Sequence, residues 1–239
     1  YIFPSIINGI EGILTQNNYS VSLGLTRNKI ENERKLLQSF IEKEIDGLIV
    51  EGTKSALPNP NLEIYKEFYK KGVPVIFING YYTKLDPNYV VVDDVLGGKM
   101  ATDYLIQCGH EKITGIFKYD DMQGHKRYQG FQESLYNAQI DIYEDRLMWF
   151  ATEDNQFLAI ENSEEIIKKL QGITGVVCYN DEVAVKLIRL LEHNSIKVPE
   201  DISIVSFDDS NLAIMSSPGL TTIAHPGKAL GKFVANELL

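Results

Sequence analysis

One repeated pattern restricts the fold of this chain more than any other feature. A short run of consecutive apolar residues meets one or two polar ones, and apolar residues then return every three or four positions. Residues 176–191, VVCYNDEVAVKLIRLL, show it. Val176, Val177, Cys178 and Tyr179 lead into Asn180, Asp181 and Glu182, and Val183, Ala184, Leu187, Ile188, Leu190 and Leu191 follow at helical spacing. A strand that is apolar on consecutive positions is covered on both faces, as in a parallel sheet packed between helices.

The same reading predicts strands at residues 21–26, 47–51, 73–79, 90–93, 113–117, 176–179, 202–207 and 220–223. Helices are predicted around Ile6, Ile10, Ile13 and Leu14, started by Pro4 and Ser5, and around Leu36, Leu37, Phe40 and Ile41. Others cover residues 62–69, the group Met100, Ala101, Tyr104 and Leu105 (stopped by Gly109), and Gly130, Phe131, Leu135 and Tyr136. Ile166, Ile167 and Leu170 mark one more, and residues 227–239 the last. Strand and helix in alternation make the fold class α/β, with parallel sheets flanked by helices and doubly wound by right-handed crossovers. At 239 residues the chain suits two lobes of about 100–150 residues each. It opens on YIFPSII, without Met and on a helix with no strand before it, so it is expected to be part of a longer protein.

In open parallel sheets, ligands bind beyond the carboxyl ends of the strands. The predicted strands deliver Glu51 (then Lys54), Asn79, Asp93 and Asp94, Asp120, Asp121 and Gln123, Asn180 and Asp181, and Asp208 and Asp209 to those ends. Asp and Asn also cap helices and build turns, and Asp181 and Asp209 are candidates for that duty alone. Six polar strand ends together point to a crevice rich in hydrogen-bond acceptors. Such a crevice, with one or two cations, suits a neutral polyhydroxylated ligand, whose hydroxyls both donate and accept. Arg127, in GHKRYQGF, is the candidate cation, expected in the first turn of its helix. Phe3 is a candidate aromatic face for a sugar ring.

Other chemistries find no constellation. The sequence has no GxSxG elbow, no GxxxxGK[ST] loop and no HExxH pair, and His110, His125, His193 and His225 are scattered. Neither an enzyme nor a cofactor is expected. Cys108 and Cys178 stand without a CxxC, which argues against a zinc site or structural disulfide, and both are expected to be buried thiols in a reducing compartment. A formal net charge of -10, with no basic run, makes these residues a poor surface for DNA. No apolar run approaches the roughly 18 residues of a membrane span.

The stretches NGIEGIL, YSVSLGLT, ERKLLQSFIEKEIDGLIVEG, GVPVIFING, VVVDDVLGGKMATDYLIQCGHEKITGI, KRYQGF, CYNDEVAVKLIRLL, VPEDISIVSFDDS and LTTIAHPGKALG follow one another as in a known family. The chain resembles the effector-binding domain of LacI/GalR-type transcription regulators over essentially its whole length. YIFPSI, VEGTKSAL, FKYDDMQGHKR and CYNDE are similar to the arabinose-responsive (AraR-type) members, which carry a winged-helix DNA-binding domain. The resemblance implies two Rossmann-like lobes of the periplasmic-binding-protein type I, residues 1–110 with 224–239 and residues 111–223. It implies a small sugar effector held between them, L-arabinose or another pentose or hexose, and no enzymatic activity. Phe3, Arg127, Asn180 and Asp208 fall on family contact positions, and His225 falls at the hinge crossing. Asp121 and Gln123 lie in a loop that gives selective contacts, and Glu51 and Lys54 follow from the AraR-like loop. The resemblance further implies a cytoplasmic homodimer that meets operator DNA only through a domain outside this chain. A transport-type periplasmic sugar-binding protein is the alternative.

Overall fold

The computed structural model describes residues 2–154 and 156–239, which divide into two units. The first holds the residues up to Val92 together with Asp120–Met122 and Pro226–Leu239; the second holds Asp93–Tyr119 and Gln123–His225.

The first unit is built on a parallel sheet of β1 (Leu48–Val50), β2 (Val75–Ile78) and β3 (Asn88–Val90), in that order. The central strand, VIFI, is buried at every position. Alternation sends Val75 and Phe77 to one face, with Leu37, Tyr65 and Phe68 of α2 (Ile30–Glu42) and α3 (Leu62–Lys70). Ile76 and Ile78 face the other way, onto Ile6 of α1 (Phe3–Gln16) and Leu230 and Val234 of α9 (Gly227–Leu238). A sheet covered on both faces places its polar side chains chiefly at its strand ends.

The second unit repeats the scheme with five parallel strands in the order β5-β4-β6-β7-β8. These are β4 (Ile113–Lys118), β5 (Met148–Phe150), β6 (Gly175–Cys178), β7 (Ser203–Asp208) and β8 (Thr221–Ala224). Phe117, Val177, Val205 and Phe207 pack with Ala101, Leu105 and Phe131 of α4 (Asp94–Gln107) and α5 (Met122–Asn137). Ile116, Val176, Cys178 and Ile204 face Ile166 of α6 (Ser163–Leu170) and Leu187 of α7 (Asp181–His193). The short α8 (Asn211–Met215) follows β7. Chain order reverses between β4 and β6, so this unit's switch point lies at their carboxyl ends.

The structure corrects three expectations. Residues 21–26 form no strand: no described segment offers them a ladder, and Val21, Leu23 and Leu25 are exposed. The edge strand β5 was not predicted, because MWF is only three residues long beside a charged turn, Glu144–Arg146. The two units part at Val92–Asp93, and α4 packs against β6, β7 and β8. Cys178 is buried as expected, whereas Cys108, capping the end of α4, is exposed.

Candidate functional site

In the second unit, the residues around Arg127 gather at the switch point. Arg127 is the sixth residue of α5, in its second turn rather than its first, and is buried. Its Nε donates to Asp94 Oδ1 at 2.9 Å and its Nη1 to the carbonyl oxygen of Tyr179, just beyond β6. The guanidinium carbon lies 4.3 Å from the Phe207 ring centroid and 5.0 Å from that of Tyr179. Nη2 stands 3.9 Å from Asp208 Oδ1, within ion-pair range but beyond a hydrogen bond. Burial works to lower the Arg127 pKa; the charges of Asp94 and Asp208 outweigh it, and the pKa is raised.

Glycines make this cluster possible. A Cβ on Gly98 of α4 would lie 2.2 Å from the Arg127 carbonyl oxygen, and one on Gly130 of α5 would lie 2.1 Å from that of Val95. Any larger residue at either position would drive α4 from α5 and part Asp94 from Arg127.

Asp208 ends β7 with φ 104°, a backbone conformation side chains rarely adopt, and Asp209 follows at φ 48°. Its carbonyl accepts the backbone N–H of His225, the residue after β8, at 3.4 Å. Both ring nitrogens of His225 are buried without a hydrogen-bond partner, and burial together with the Arg127 charge lowers its pKa to about 4. The imidazole is therefore neutral at pH 7, with one donor and one acceptor to offer.

Asn180 and Asp181 divide their duties differently from the expectation. Asn180 is the N-cap of α7, its side chain accepting from Val183 N at 3.0 Å. Asp181, fully buried, accepts from Ser206 Oγ, from Ser210 N and Oγ at 2.8 Å, and from Thr222 Oγ1 at 2.8 Å. It ties β7, the start of α8 and β8 together. Serine inside the otherwise apolar SIVSFD strand was the available signal, since a buried hydroxyl requires a partner. Asp93 likewise caps α4 through Leu96 N at 2.9 Å. Gln123, second in α5, is buried with Nε2 unpartnered.

Of the expected residues in the first unit, Phe3 is half exposed at the start of α1, and Glu51 and Lys54 follow β1 half-buried. Lys54 has φ 47°, and its N–H donates to Asn28 Oδ1 at 2.6 Å. Asn28 Nδ2 lies 3.5 Å from Asp120 Oδ2, and Ser55 Oγ accepts from Met122 N at 3.0 Å, so the segment bearing Asp121 lies beside the Lys54 loop. Asn79, at φ 62° beyond β2, is buried with both amide atoms unpartnered; it was noted as a strand end but not counted among the contacts. Among the described residues, no group of His, Cys, Asp and Glu could hold a metal, and no helix is long and apolar enough to cross a membrane.

Two units of parallel strands, each sheet sandwiched by helices and ending in polar side chains, define a ligand-binding α/β class. Residues 102–239 match the family described as periplasmic binding protein-like domain, and the chain belongs to that family. It is 42% identical over 97% of its length to the arabinose metabolism transcriptional repressor of Halalkalibacterium halodurans, and 37% identical over 100% to that of Geobacillus stearothermophilus. It spans 62% and 66% of those relatives' lengths. Among solved structures it is similar to the transcription regulator CcpA of Lactococcus lactis, with a TM-score of 0.84, 26% identity, and coverage of 100% of this chain and 85% of that one. The expected resemblance to LacI-type effector domains and the α/β fold class both hold.

Proposed function

We propose that this chain is the sugar-sensing part of a transcriptional repressor, with L-arabinose as the effector. The Arg127 cluster carries the reading: a buried cation whose Asp208 partner stands at 3.9 Å, beside a neutral histidine with both nitrogens unpartnered. A sugar hydroxyl donates to a carboxylate and accepts from a guanidinium or amide, which is what Asp208, Arg127 and His225 offer. The names of the two relatives support repression and arabinose.

In this reading Gln123, Arg127, Asn180, Asp208 and His225 are the second unit's candidate sugar contacts, and Phe3, Glu51, Lys54 and Asp121 are the first unit's. The unpartnered amide of Asn79 would find a partner in the same ligand or in water. Binding favours one of two arrangements by the difference in its affinity for them. The homodimer passes the change to operator DNA, bound in the cytoplasm by a domain outside these residues. Catalysis has no part in this.

A thermal-shift screen over pentoses and hexoses tests it. L-arabinose is expected to raise the unfolding midpoint most. A shift with another sugar but not with L-arabinose would sink the arabinose assignment, and no shift with any would sink sugar sensing.

A further inference from the structure

The first unit holds a buried carboxylate, Glu33, which the proposed contacts do not use. Glu33, in the first turn of α2, is 2% exposed. Its Oε2 accepts from Asn59 Nδ2 at 2.7 Å and Asn61 Nδ2 at 2.8 Å; its Oε1 accepts from the hydroxyls of Tyr65 at 2.8 Å and Tyr82 at 2.6 Å. Four donors fill what an ionised carboxylate can accept. The α2 N-terminus adds favourable partial positive charge.

The donors come from places that matter to the site. Asn59 and Asn61 close the loop of residues 51–61, and Asn59 Oδ1 also accepts from Asn61 N at 2.7 Å. Asn61 is fastened twice more, through Nδ2 to the Ile30 carbonyl at 2.9 Å and through Oδ1 from Arg34 Nε at 3.0 Å. Tyr82 OH also lies 2.8 Å from the Thr53 carbonyl, at the other end of the loop. The rings of Tyr65, Phe77 and Tyr82 pack with centroids 5.4–5.8 Å apart, so the phenols have little freedom to follow a moving loop. Both ends of the segment bearing Glu51 and Lys54 are thus referred to one carboxylate.

We propose that Glu33 is a positioning residue for effector selectivity: through Asn59, Asn61 and Tyr82 it sets the 51–61 loop, and so the points at which Glu51 and Lys54 meet sugar hydroxyls. The proposal rests on the sugar-sensing reading. Epimeric pentoses differ in where one hydroxyl points, so a loop free to shift accommodates both, whereas a loop fixed at both ends distinguishes them.

The test compares the full chain with Glu33→Gln and Tyr82→Phe, titrating L-arabinose and D-xylose by calorimetry. Glutamine turns two acceptor sites into donors that face donors. Phenylalanine keeps the ring and the carboxylate but removes the hydroxyl that touches both Glu33 Oε1 and the Thr53 carbonyl, so one variant remains informative if the other fails to fold. L-arabinose affinity is expected to fall about tenfold, with the preference over D-xylose narrowing by a similar factor. A lowered unfolding midpoint with both affinities and their ratio unchanged would overturn the proposal and leave sugar sensing standing. Failure of the unchanged protein to bind any pentose or hexose would overturn both.

Discussion

The two units bury charge beyond their sheets by opposite chemistry. In the first, Glu33 is surrounded by neutral donors, two amides and two phenols, and both its oxygens are saturated. In the second, Arg127 is held by a carboxylate, a carbonyl and two ring faces, and its approach to Asp208 stops at 3.9 Å. A saturated cluster fixes structure and has nothing left for a ligand. The second cluster lies beside a strained Asp208 backbone and a His225 whose ring nitrogens have no hydrogen-bond partner, which is why the proposed ligand reading centres on Arg127 and the proposed positioning on Glu33.

The contrast is broken most forcefully at Asp94. Asp94→Ala would leave the buried guanidinium without its 2.9 Å partner. That should destabilise the protein by about 3–5 kcal/mol, read from urea unfolding. A loss under 1 kcal/mol would mean that Asp208 takes over the charge, and the two carboxylates would not be distinct in role.

Asp208→Ala should behave in the reverse sense. Its 3.9 Å ion pair with Arg127 is longer than the 2.9 Å bond from Asp94, so stability should fall less than for Asp94→Ala, while sugar affinity should fall by about 2–3 kcal/mol as a charged acceptor is lost. Calorimetry beside urea unfolding separates the two. Equal losses in both would make Asp208 structural.

His225 sharpens the comparison through pH. Its folded pKa of about 4 lies below the ordinary histidine value of 6.5. Below pH 6.5 the unfolded chain takes up a proton that the folded one refuses, so stability is complete above 6.5 and falls as pH drops toward 4. Partial exposure reduces the effect to about 2 kcal/mol. His225→Gln should flatten unfolding free energy across that window, and an unchanged slope would assign the acid sensitivity to other groups.

What the chain disclosed beforehand follows from what each feature depends on. Strands such as Val75–Ile78 and Gly175–Cys178 were legible because a run buried on both faces is a property of the run itself. Residues 21–26 misled because strand propensity does not supply a partner. Arg127 was legible as a cation near a strand end, but its anchor Asp94 depends on two helices crossing at Gly98 and Gly130, a three-dimensional fact for which the glycine pair was the only trace. Glu33 was invisible, since its four donors are 26 to 49 residues further along the chain.

The smallest effect settles the oldest ambiguity, the neighbours Asn180 and Asp181. Local rules say only that one polar residue there caps α7; backbone geometry selects Asn180, which is extended at φ -159° while Asp181 begins the helix. Asn180→Ala should cost about 1 kcal/mol of stability through the lost cap, and Asn180→Ser, which also caps well, should restore it. Serine cannot restore an amide. If Asn180 also bonds the sugar, the serine variant keeps its urea midpoint but binds L-arabinose more weakly. Full affinity in that variant would leave Asn180 a cap alone and confine the second unit's contacts to the cluster around Arg127.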